Sequence, residues 1–251
     1  MNPAGGIELA TSRGGARADL KIGIPPVNVL DSSALAEISR CVLAARAARV
    51  LVLSGLPAAF SAGVDVAEHV PEPERIETML AAMRDVLTAL VETPSVTVAA
   101  VSGACLGGGA EIVASCDVVV VAENARVGFP EIGLGCFPPG GVALLPSRIG
   151  EARAADWILS GRVVSGREAE RAGFAAQAVS SARLEAETER LVESLLSRGT
   201  AALSAARDLL RQGRRDALQN RLAAAERAYR ALAGDTDLAR AVAKFETARR
   251  R

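Results

Sequence analysis

The chain has 251 residues, 50% of them hydrophobic, which is enough to bury one large core or two modest ones. Lysine plus arginine and aspartate plus glutamate balance at 29 each, so the overall charge gives no general attraction for nucleic acid or an anionic membrane. The four cysteines form no Cys-x-x-Cys pair and His69 is the only histidine, so we expect no metal site.

We expect a reduced, cytoplasmic setting, because the amino terminus lacks the basic and apolar regions of a signal peptide. Residues 93–110 are uncharged and long enough to suggest a membrane span. However, Pro94, Gly103 and three consecutive glycines would leave backbone groups unpaired in lipid. We therefore predict a buried strand that enters a loop, and no membrane association.

The first two thirds of the chain alternate short β-branched runs with helical patterns. Apolar residues recur at helical spacing over residues 35–45 and again over 76–90. Strands are predicted at residues 20–24, 50–53, 96–101 and 118–121. This alternation predicts an α/β fold.

From Glu151 onward the β signal nearly disappears, and segments rich in alanine, leucine and arginine predict helices. These helices are expected at residues 182–197, 201–211, 216–232 and 237–249. Glycines at positions 161, 173, 213 and 234 are predicted to interrupt the helical region. We predict a core over residues 1–180 and a helical lid or assembly region over residues 181–251.

The most informative motif is the glycine corner Gly107–Gly109, which Glu111 follows closely. An apolar run breaks into glycines and resumes with a carboxylate on the predicted first turn of a helix, so backbone N–H groups can approach a ligand oxygen. Glu131 follows 20 positions later. The pattern is typical of an oxyanion hole beside an acid/base group. Taken alone, Glu111 could equally be an acid favoured by the helix dipole, and Glu131 a loop residue.

A second glycine corner, Phe60-Ser-Ala-Gly-Val-Asp65, follows the predicted strand at residues 50–53. It could supply another backbone N–H, but it is also compatible with a turn in which Asp65 caps the next helix. A third segment, Asn28-Val-Leu-Asp31, follows an early strand.

Together these segments resemble the crotonase (enoyl-CoA hydratase/isomerase) superfamily across nearly all of the chain. Further matching segments are Ser115-Cys-Asp117, Ile158-Leu-Ser-Gly-Arg162, Glu168-Ala, Ala172-Gly-Phe174, Phe245 and Arg249. The resemblance implies a crotonase-like spiral of ββα units with a C-terminal helical layer. It also implies assembly as homotrimers or dimers of trimers.

The resemblance implies roles for individual residues as well. The backbone N–H groups of Ala62 and Gly108 would form the oxyanion hole, and Glu111 and Glu131 would be the catalytic carboxylates. Residues implied to contact the substrate are Asn28, Ala62, Gly63, Asp65, Gly107, Gly108, Phe137 and Lys244, with Arg249 as a further candidate for the coenzyme A phosphates. The implied ligand is an acyl-CoA; coenzyme A is part of this substrate, and no separate cofactor is expected.

Retention of both glutamates favours addition of water to an α,β-unsaturated acyl-CoA, because family members with other reactions often keep only one carboxylate. The segments around Asp65 and Phe137 are most like those of cyclohexa-1,5-diene-1-carbonyl-CoA hydratases. Phe137 and the two prolines after it could shape a short, wide pocket, or could simply end a loop.

Several alternatives stay open from the sequence. They are an enoyl-CoA isomerase or a decarboxylase of the same superfamily, and a non-catalytic assembly or RNA-binding member. A paired-carboxylate glycosidase is a weaker reading of the residues, since it leaves the glycine corners unexplained and the chain has one Trp and one Tyr to offer a sugar.

Overall fold

The computed structural model describes residues 6–69 and 72–249, apart from five side chains near the C-terminus. The strands are β1 (Gly6–Ser12), β2 (Arg17–Gly23), β3 (Val29–Leu30), β4 (Val50–Ser54), β5 (Ala59–Ser61), β6 (Gly63–Val64), β7 (Val96–Val101), β8 (Ala104–Leu106), β9 (Val118–Ala122), β10 (Arg126–Gly128), β11 (Val163–Ser165) and β12 (Gln177–Val179). The helices are α1 (Ser32–Ala44), α2 (Pro73–Glu92), α3 (Gly108–Ser115), α4 (Pro139–Ile149), α5 (Glu151–Ser160), α6 (Gly166–Ala172), α7 (Leu184–Leu196), α8 (Thr200–Ala217), α9 (Ala223–Arg230) and α10 (Thr236–Arg249).

The strands form a six-stranded sheet in the order β1-β2-β4-β7-β9-β12, a four-stranded sheet in the order β11-β10-β8-β5, and a small β3-β6 sheet. Neighbouring strands are parallel except in the β1–β2 and β10–β11 pairs. Successive repeats each give one strand to the large sheet, the next strand to the four-stranded sheet, and then a helix: β4-β5-α2, β7-β8-α3 and β9-β10-α4. This arrangement is a spiral of ββα units, so the predicted α/β fold is confirmed.

The central strands of the large sheet are covered on both faces. In β4, Leu51 and Leu53 belong to the main core, whereas Val50 and Val52 pack in a second cluster with Val192 of α7. A parallel strand that is buried on both faces must be apolar at successive positions. This burial explains why the predicted strands appear in the sequence as continuous aliphatic runs.

The four predicted strands correspond to β2, β4, β7 and β9. The prediction of an almost purely helical region after Glu151 was wrong at β11 and β12, which are three residues each and too short to show a period. Gly161 and Gly173 do end α5 and α6 in the left-handed conformation. The expected break at Gly213 was wrong, because α8 runs through it into a π-helical turn at Leu218–Leu222 and then into α9.

A buried ion pair attaches α8 to the core. Arg211 is fully buried, and its Nε donates to Asp117 Oδ1 at 2.7 Å while its Nη2 donates to the Ser95 carbonyl at 2.7 Å. Arg214 Nη2 donates to the same oxygen, Asp117 Oδ1, at 2.5 Å. Burial alone would raise the pKa of Asp117, but the hydrogen bonds and charge of Arg211, the charge of Arg214 and the Thr97 backbone together hold the pKa below its usual value. These contacts fix the direction in which α8 and α9 approach the core.

The last strand ends at Val179, and helices follow from Leu184 in the described residues. The division at residue 180 into a core and a helical lid stays a prediction. Across residues 6–69 and 72–249, no helix is both long and apolar enough to cross a membrane.

Candidate active site

A cavity of about 90 Å³ lies where α2, α3, the segment after β10 and α9 meet. Seven of the predicted site residues line it, namely Ala62, Gly63, Gly107, Gly108, Glu111, Glu131 and Phe137. Its apolar wall includes Val64, Met79, Leu80, Met83, Leu134 and Leu222. The part of the chain that the structure describes contains no cluster of His, Cys, Asp and Glu side chains suited to a metal ion.

The glycine corner brings a helix N-terminus to the cavity. Gly107 precedes α3 with φ 51°, and a Cβ at this position would lie 2.7 Å from Glu131 Oε1. Gly108 is the first residue of α3, so its N–H has no acceptor within the helix. A Cβ at Gly108 would lie 2.7 Å from side-chain atoms of both Met83 and Val64, so neither position has room for a side chain.

The second corner differs from the prediction in one residue. The Ala62 N–H already donates to the Val27 carbonyl at 2.9 Å, and the Asp65 N–H donates to the Leu30 carbonyl of β3 at 2.9 Å. Because backbone groups alternate in direction along a strand, the Val64 N–H points away from β3. A Cβ at Gly108 would lie 3.6 Å from the Val64 nitrogen. The amide of this corner that faces Gly108 is therefore that of Val64, because the Ala62 amide is engaged elsewhere.

Glu111 lies on the first turn of α3 and is 3% exposed. Its Oε1 accepts a hydrogen bond from the Gly141 N–H at 2.8 Å. Burial raises the pKa of Glu111 to about 7, although hydrogen bonds from the Gly141 and Gly140 backbone oppose the shift. This carboxylate can exchange a proton near neutral pH.

Glu131 lies in the 3-10 turn Pro130–Leu134 and faces the glycine corner. Its Oε2 is buried and has no hydrogen-bond partner among the described residues. Burial raises the pKa of Glu131 to about 8, and the negative charge of Glu111 adds to the rise. One cavity thus holds two carboxyl groups whose pKa values are both raised; backbone hydrogen bonds oppose the rise at Glu111, whereas the neighbouring negative charge adds to it at Glu131.

Three predicted contact residues do not line the cavity. Asn28 is fully buried, and its side-chain amide donates to the carbonyls of Ile22, Ala59 and Phe60 at 2.9 Å each, so it supports the second corner from below. Asp65 accepts from the Ala67 N–H at 3.0 Å, in the capping role that was the alternative for it. Lys244 is exposed on α10. The side chains of Phe245 and Arg249 lie outside the described residues.

The sequence profile of the enoyl-CoA hydratase/isomerase family matches residues 15–250. This chain belongs to the enoyl-CoA hydratase/isomerase family. Its glycine corners and its two carboxylates lie within the matched range.

Individual relatives agree with the family assignment. The chain is 33% identical over 171 residues to the cyclohexa-1,5-dienecarbonyl-CoA hydratase of Thauera aromatica, an alignment that covers 67% of this chain and 66% of that enzyme. It is 32% identical over 206 residues to a probable enoyl-CoA hydratase of Rhizobium meliloti, covering 82% of this chain and 80% of the relative. The fold matches human mitochondrial delta3-delta2-enoyl-CoA isomerase with a TM-score of 0.88 at 21% identity, over 97% of this chain and 98% of that one.

Sequence analysis missed the wall of the cavity that α9 contributes. Glu226 and Tyr229 of α9 line it together with Leu222, the last residue of the preceding π-helical turn, at positions i, i+4 and i+7 of one helical face. The Tyr229 hydroxyl lies 2.5 Å from Nδ1 of His69, which is also buried against the cavity. The available signal was the 3.6-residue period that places the chain's single tyrosine on the same face as a glutamate, but the sequence does not say which site that face meets.

Proposed function

We propose that this enoyl-CoA hydratase/isomerase family member adds water to an α,β-unsaturated acyl-CoA thioester. The observation that carries the proposal is the pair of carboxyl groups in one cavity beside the Gly107–Gly109 corner: Glu111 is buried, and Glu131 is partly buried with its Oε2 shielded from solvent. Water addition requires one group that accepts a proton and one that donates a proton. Two carboxylates whose environments separate their pKa values supply that combination.

The backbone N–H groups of Gly108 and Val64 would bind the thioester oxygen in this proposal. As the water oxygen bonds to the β-carbon, the π electrons of the C=C bond move toward the thioester, and negative charge builds on its oxygen as an enolate. Amides that are already oriented stabilise that charge without the reorganisation that water would need. The helix N-terminus at Gly108 adds favourable electrostatics.

We assign the base to Glu111 and the acid to Glu131. Glu111 ionises first because the Gly140 and Gly141 backbone hydrogen-bonds its charged form, so it takes the proton from water. Glu131 keeps its proton to higher pH and delivers it to the α-carbon, which neutralises the enolate. The cycle closes when the proton on Glu111 and the charge on Glu131 exchange with solvent. No separate cofactor enters these steps, since coenzyme A is part of the substrate.

The substrate class within this proposal is a short acyl group, with a cyclic dienoyl-CoA as the leading candidate. The similarity to the Thauera aromatica enzyme supports the ring, as does the position of Phe137 in the cavity wall beside Pro138 and Pro139. Lys244 of α10, with Arg249, is proposed for the coenzyme A phosphates. We also propose that the protein is a homotrimer or a dimer of trimers.

The deciding experiment incubates the purified protein with a panel of enoyl-CoA thioesters and detects products by mass. A water adduct is expected; a shifted double bond at unchanged mass would indicate an isomerase instead, and loss of CO2 a decarboxylase. Absence of any reaction with the whole panel, together with a salt-sensitive RNA mobility shift, would favour a non-catalytic RNA-binding member.

The proposed preference for a cyclic acyl group is tested by comparing kcat/KM on cyclohexa-1,5-diene-1-carbonyl-CoA and crotonyl-CoA. We expect the cyclic substrate to be preferred. A tenfold or greater preference for crotonyl-CoA, about 1.4 kcal/mol of transition-state discrimination, would contradict the ring assignment and leave a general short-chain hydratase.

A further inference from the structure

The wall of the cavity that α9 forms is polar in a way that the hydration chemistry does not use. Glu226 and Tyr229 line the cavity three residues apart, opposite the apolar side chains of α2. The π-helical turn Leu218–Leu222 directly before α9 changes the helical register and so sets which side chains of α9 face inward. We call Glu226, Tyr229 and the adjacent His69 the α9 wall.

One carboxylate oxygen of Glu226 has no hydrogen-bond donor among the described residues. The residue is 4% exposed, and its Oε2 accepts from Arg84 Nη1 at 2.7 Å and from Arg230 Nη2 at 3.4 Å. Its Oε1 is buried and has no partner among the described residues. A buried acceptor without a donor destabilises the free protein, so a ligand that brings a donor would recover that free energy on binding.

The His69–Tyr229 pair holds one spare hydrogen-bond donor. Tyr229 is 1% exposed and His69 is 8% exposed, and burial lowers the pKa of His69 to about 4, so the ring is neutral at pH 7. A neutral imidazole and a phenol together carry two exchangeable protons, and their mutual hydrogen bond uses one of them. The other proton has Cys136 Sγ as its neighbour, since burial raises the pKa of Cys136 and a hydrogen bond from Tyr229 opposes that rise; sulfur is a weak acceptor, so a ligand oxygen can take its place.

An anionic acyl substituent would meet no unpaired cation among the described residues that line the cavity. Three carboxylates line it, those of Glu111, Glu131 and Glu226, against the single guanidinium of Arg84, which is already paired. Most of the remaining wall is apolar, so a full positive charge would also be costly to bury. A substituent at this wall should therefore carry neither a negative nor a positive charge. A neutral group that both donates and accepts a hydrogen bond meets this requirement and matches the acceptor on Glu226 and the donor of the His69–Tyr229 pair.

We propose that the α9 wall is a subsite for a hydroxyl group on the acyl chain or ring of the substrate, which donates to Glu226 Oε1 and accepts from the His69–Tyr229 pair. This hydroxyl is separate from the one that hydration would add, and the inference rests on the proposed hydration of an acyl-CoA. It narrows the substrate class to acyl groups that already carry oxygen away from the thioester.

The test compares matched pairs of substrates. Straight-chain 2-enoyl-CoA thioesters of four, five and six carbons are assayed with and without a terminal hydroxyl. The readout is the ratio of kcat/KM for the hydroxylated member to that for the plain member, because this ratio does not depend on the fraction of active protein. We expect a ratio of about ten or more at one chain length or more.

Two variants locate the effect. Glu226→Gln should lower the ratio at least threefold, because Arg84 will hold the amide oxygen and leave at the position of Oε1 an NH2 group, which cannot accept a hydrogen bond from the substrate hydroxyl. Tyr229→Phe, which keeps the ring, should also lower it. Glu77→Gln is the control: Glu77 pairs with Arg230 of α9 but does not line the cavity, so the ratio should not change.

The outcomes separate the two proposals. Hydration of the plain and hydroxylated substrates at equal efficiency would overturn the subsite and leave the hydratase intact, as would a ratio that Glu226→Gln does not alter. If no member is hydrated, the hydratase proposal fails, and dissociation constants then decide the subsite. In that case 3- or 4-hydroxycyclohexanecarbonyl-CoA, or a hydroxylated saturated chain, must bind tighter than its plain counterpart in the wild type and lose that advantage in Glu226→Gln.

Discussion

Glu131 is a residue where stability and the proposed chemistry oppose each other. Its Oε2 is buried without a partner in the described structure, and its folded-state pKa of about 8 lies well above the usual carboxyl value. The folded state therefore holds this proton more tightly than the unfolded chain does. That contribution to stability is complete below the pKa of the unfolded chain and is lost as pH rises through about 8.

Replacing Glu131 with glutamine should stabilise the fold increasingly as pH rises. The amide keeps the shape of the protonated acid but never has to ionise in the buried site. Urea unfolding at pH 5, 6.5 and 8.5 should show a gain over wild type that grows by more than about 1 kcal/mol across this range. A gain that is the same at all three pH values would mean that the carboxylate is not destabilised by burial.

The same substitution should remove activity. Glu111→Gln and Glu131→Gln are each expected to lower kcat for hydration by about two or more orders of magnitude, since general acid–base catalysis contributes on that scale. Binding of the thioester should stay nearly unchanged, which titration with a saturated acyl-CoA can measure. Either glutamate would be excluded from the mechanism by a variant that hydrates at the wild-type rate.

Gly107 should tolerate no side chain, for two reasons visible in its geometry. Its φ of 51° is unfavourable for other residues, and a Cβ would lie 2.7 Å from Glu131 Oε1. We expect Gly107→Ala to displace that carboxylate and to lower kcat at least a hundredfold. Gly133→Ala is the matched control, because Gly133 lies in the same 3-10 turn as Glu131 and a Cβ there would meet nothing within 4 Å. Equal activities of the two variants would contradict the assigned geometry.

At the scale of elements, α8 depends on the ion pair between Arg211 and Asp117. Arg211→Met leaves the aspartate buried with reduced pairing, and removing one partner of a buried pair typically costs about 3–5 kcal/mol. We expect a loss of that size in the free energy of unfolding, measured with urea. Arg240→Met is the control, since its pair with Asp237 is 76% and 74% exposed and should matter by less than about 0.5 kcal/mol. A small effect at Arg211 would show that the remaining pairing by Arg214 suffices.

The elements also show what the sequence could and could not predict. Long aliphatic runs such as β7 can be recognised as strands from the sequence, because burial on both faces of the sheet requires apolar residues throughout. Three-residue strands carry no period, and Gly213 could not be recognised as helical because a glycine costs about 1 kcal/mol in a helix without forbidding it. The shift from Ala62 to Val64 has a similar cause: neighbouring amides of a strand point in opposite directions, so the position of one residue decides which N–H faces the cavity.

On the scale of the whole molecule, the cavity gathers segments that are distant in the chain. The second corner, the Gly107–Gly109 corner, the turn at Pro130–Leu134 and α9 all contribute to its wall. Motifs within the first three segments could be recognised from their own residues. The α9 wall could not, because only the path of the C-terminal helices, fixed partly by Arg211, determines which cavity it meets.

The surface of α8 carries an exposed apolar patch that another copy of the chain could cover. Leu209 and Leu210 are adjacent on this helix and are 73% and 80% exposed, whereas large apolar side chains are more stable when they are buried. If other copies of the chain cover them, light scattering coupled to gel filtration should give about 77 kDa for a trimer or about 155 kDa for a hexamer of the 25.8 kDa chain. Replacing both leucines with glutamate should shift the mass toward the monomer, because a buried interface cannot accept two unpaired carboxylates.

Leu159→Glu on α5, where the wild-type side chain is 71% exposed, serves as the control and should leave the mass unchanged. A wild-type protein that elutes as a monomer at all concentrations would refute the assembly.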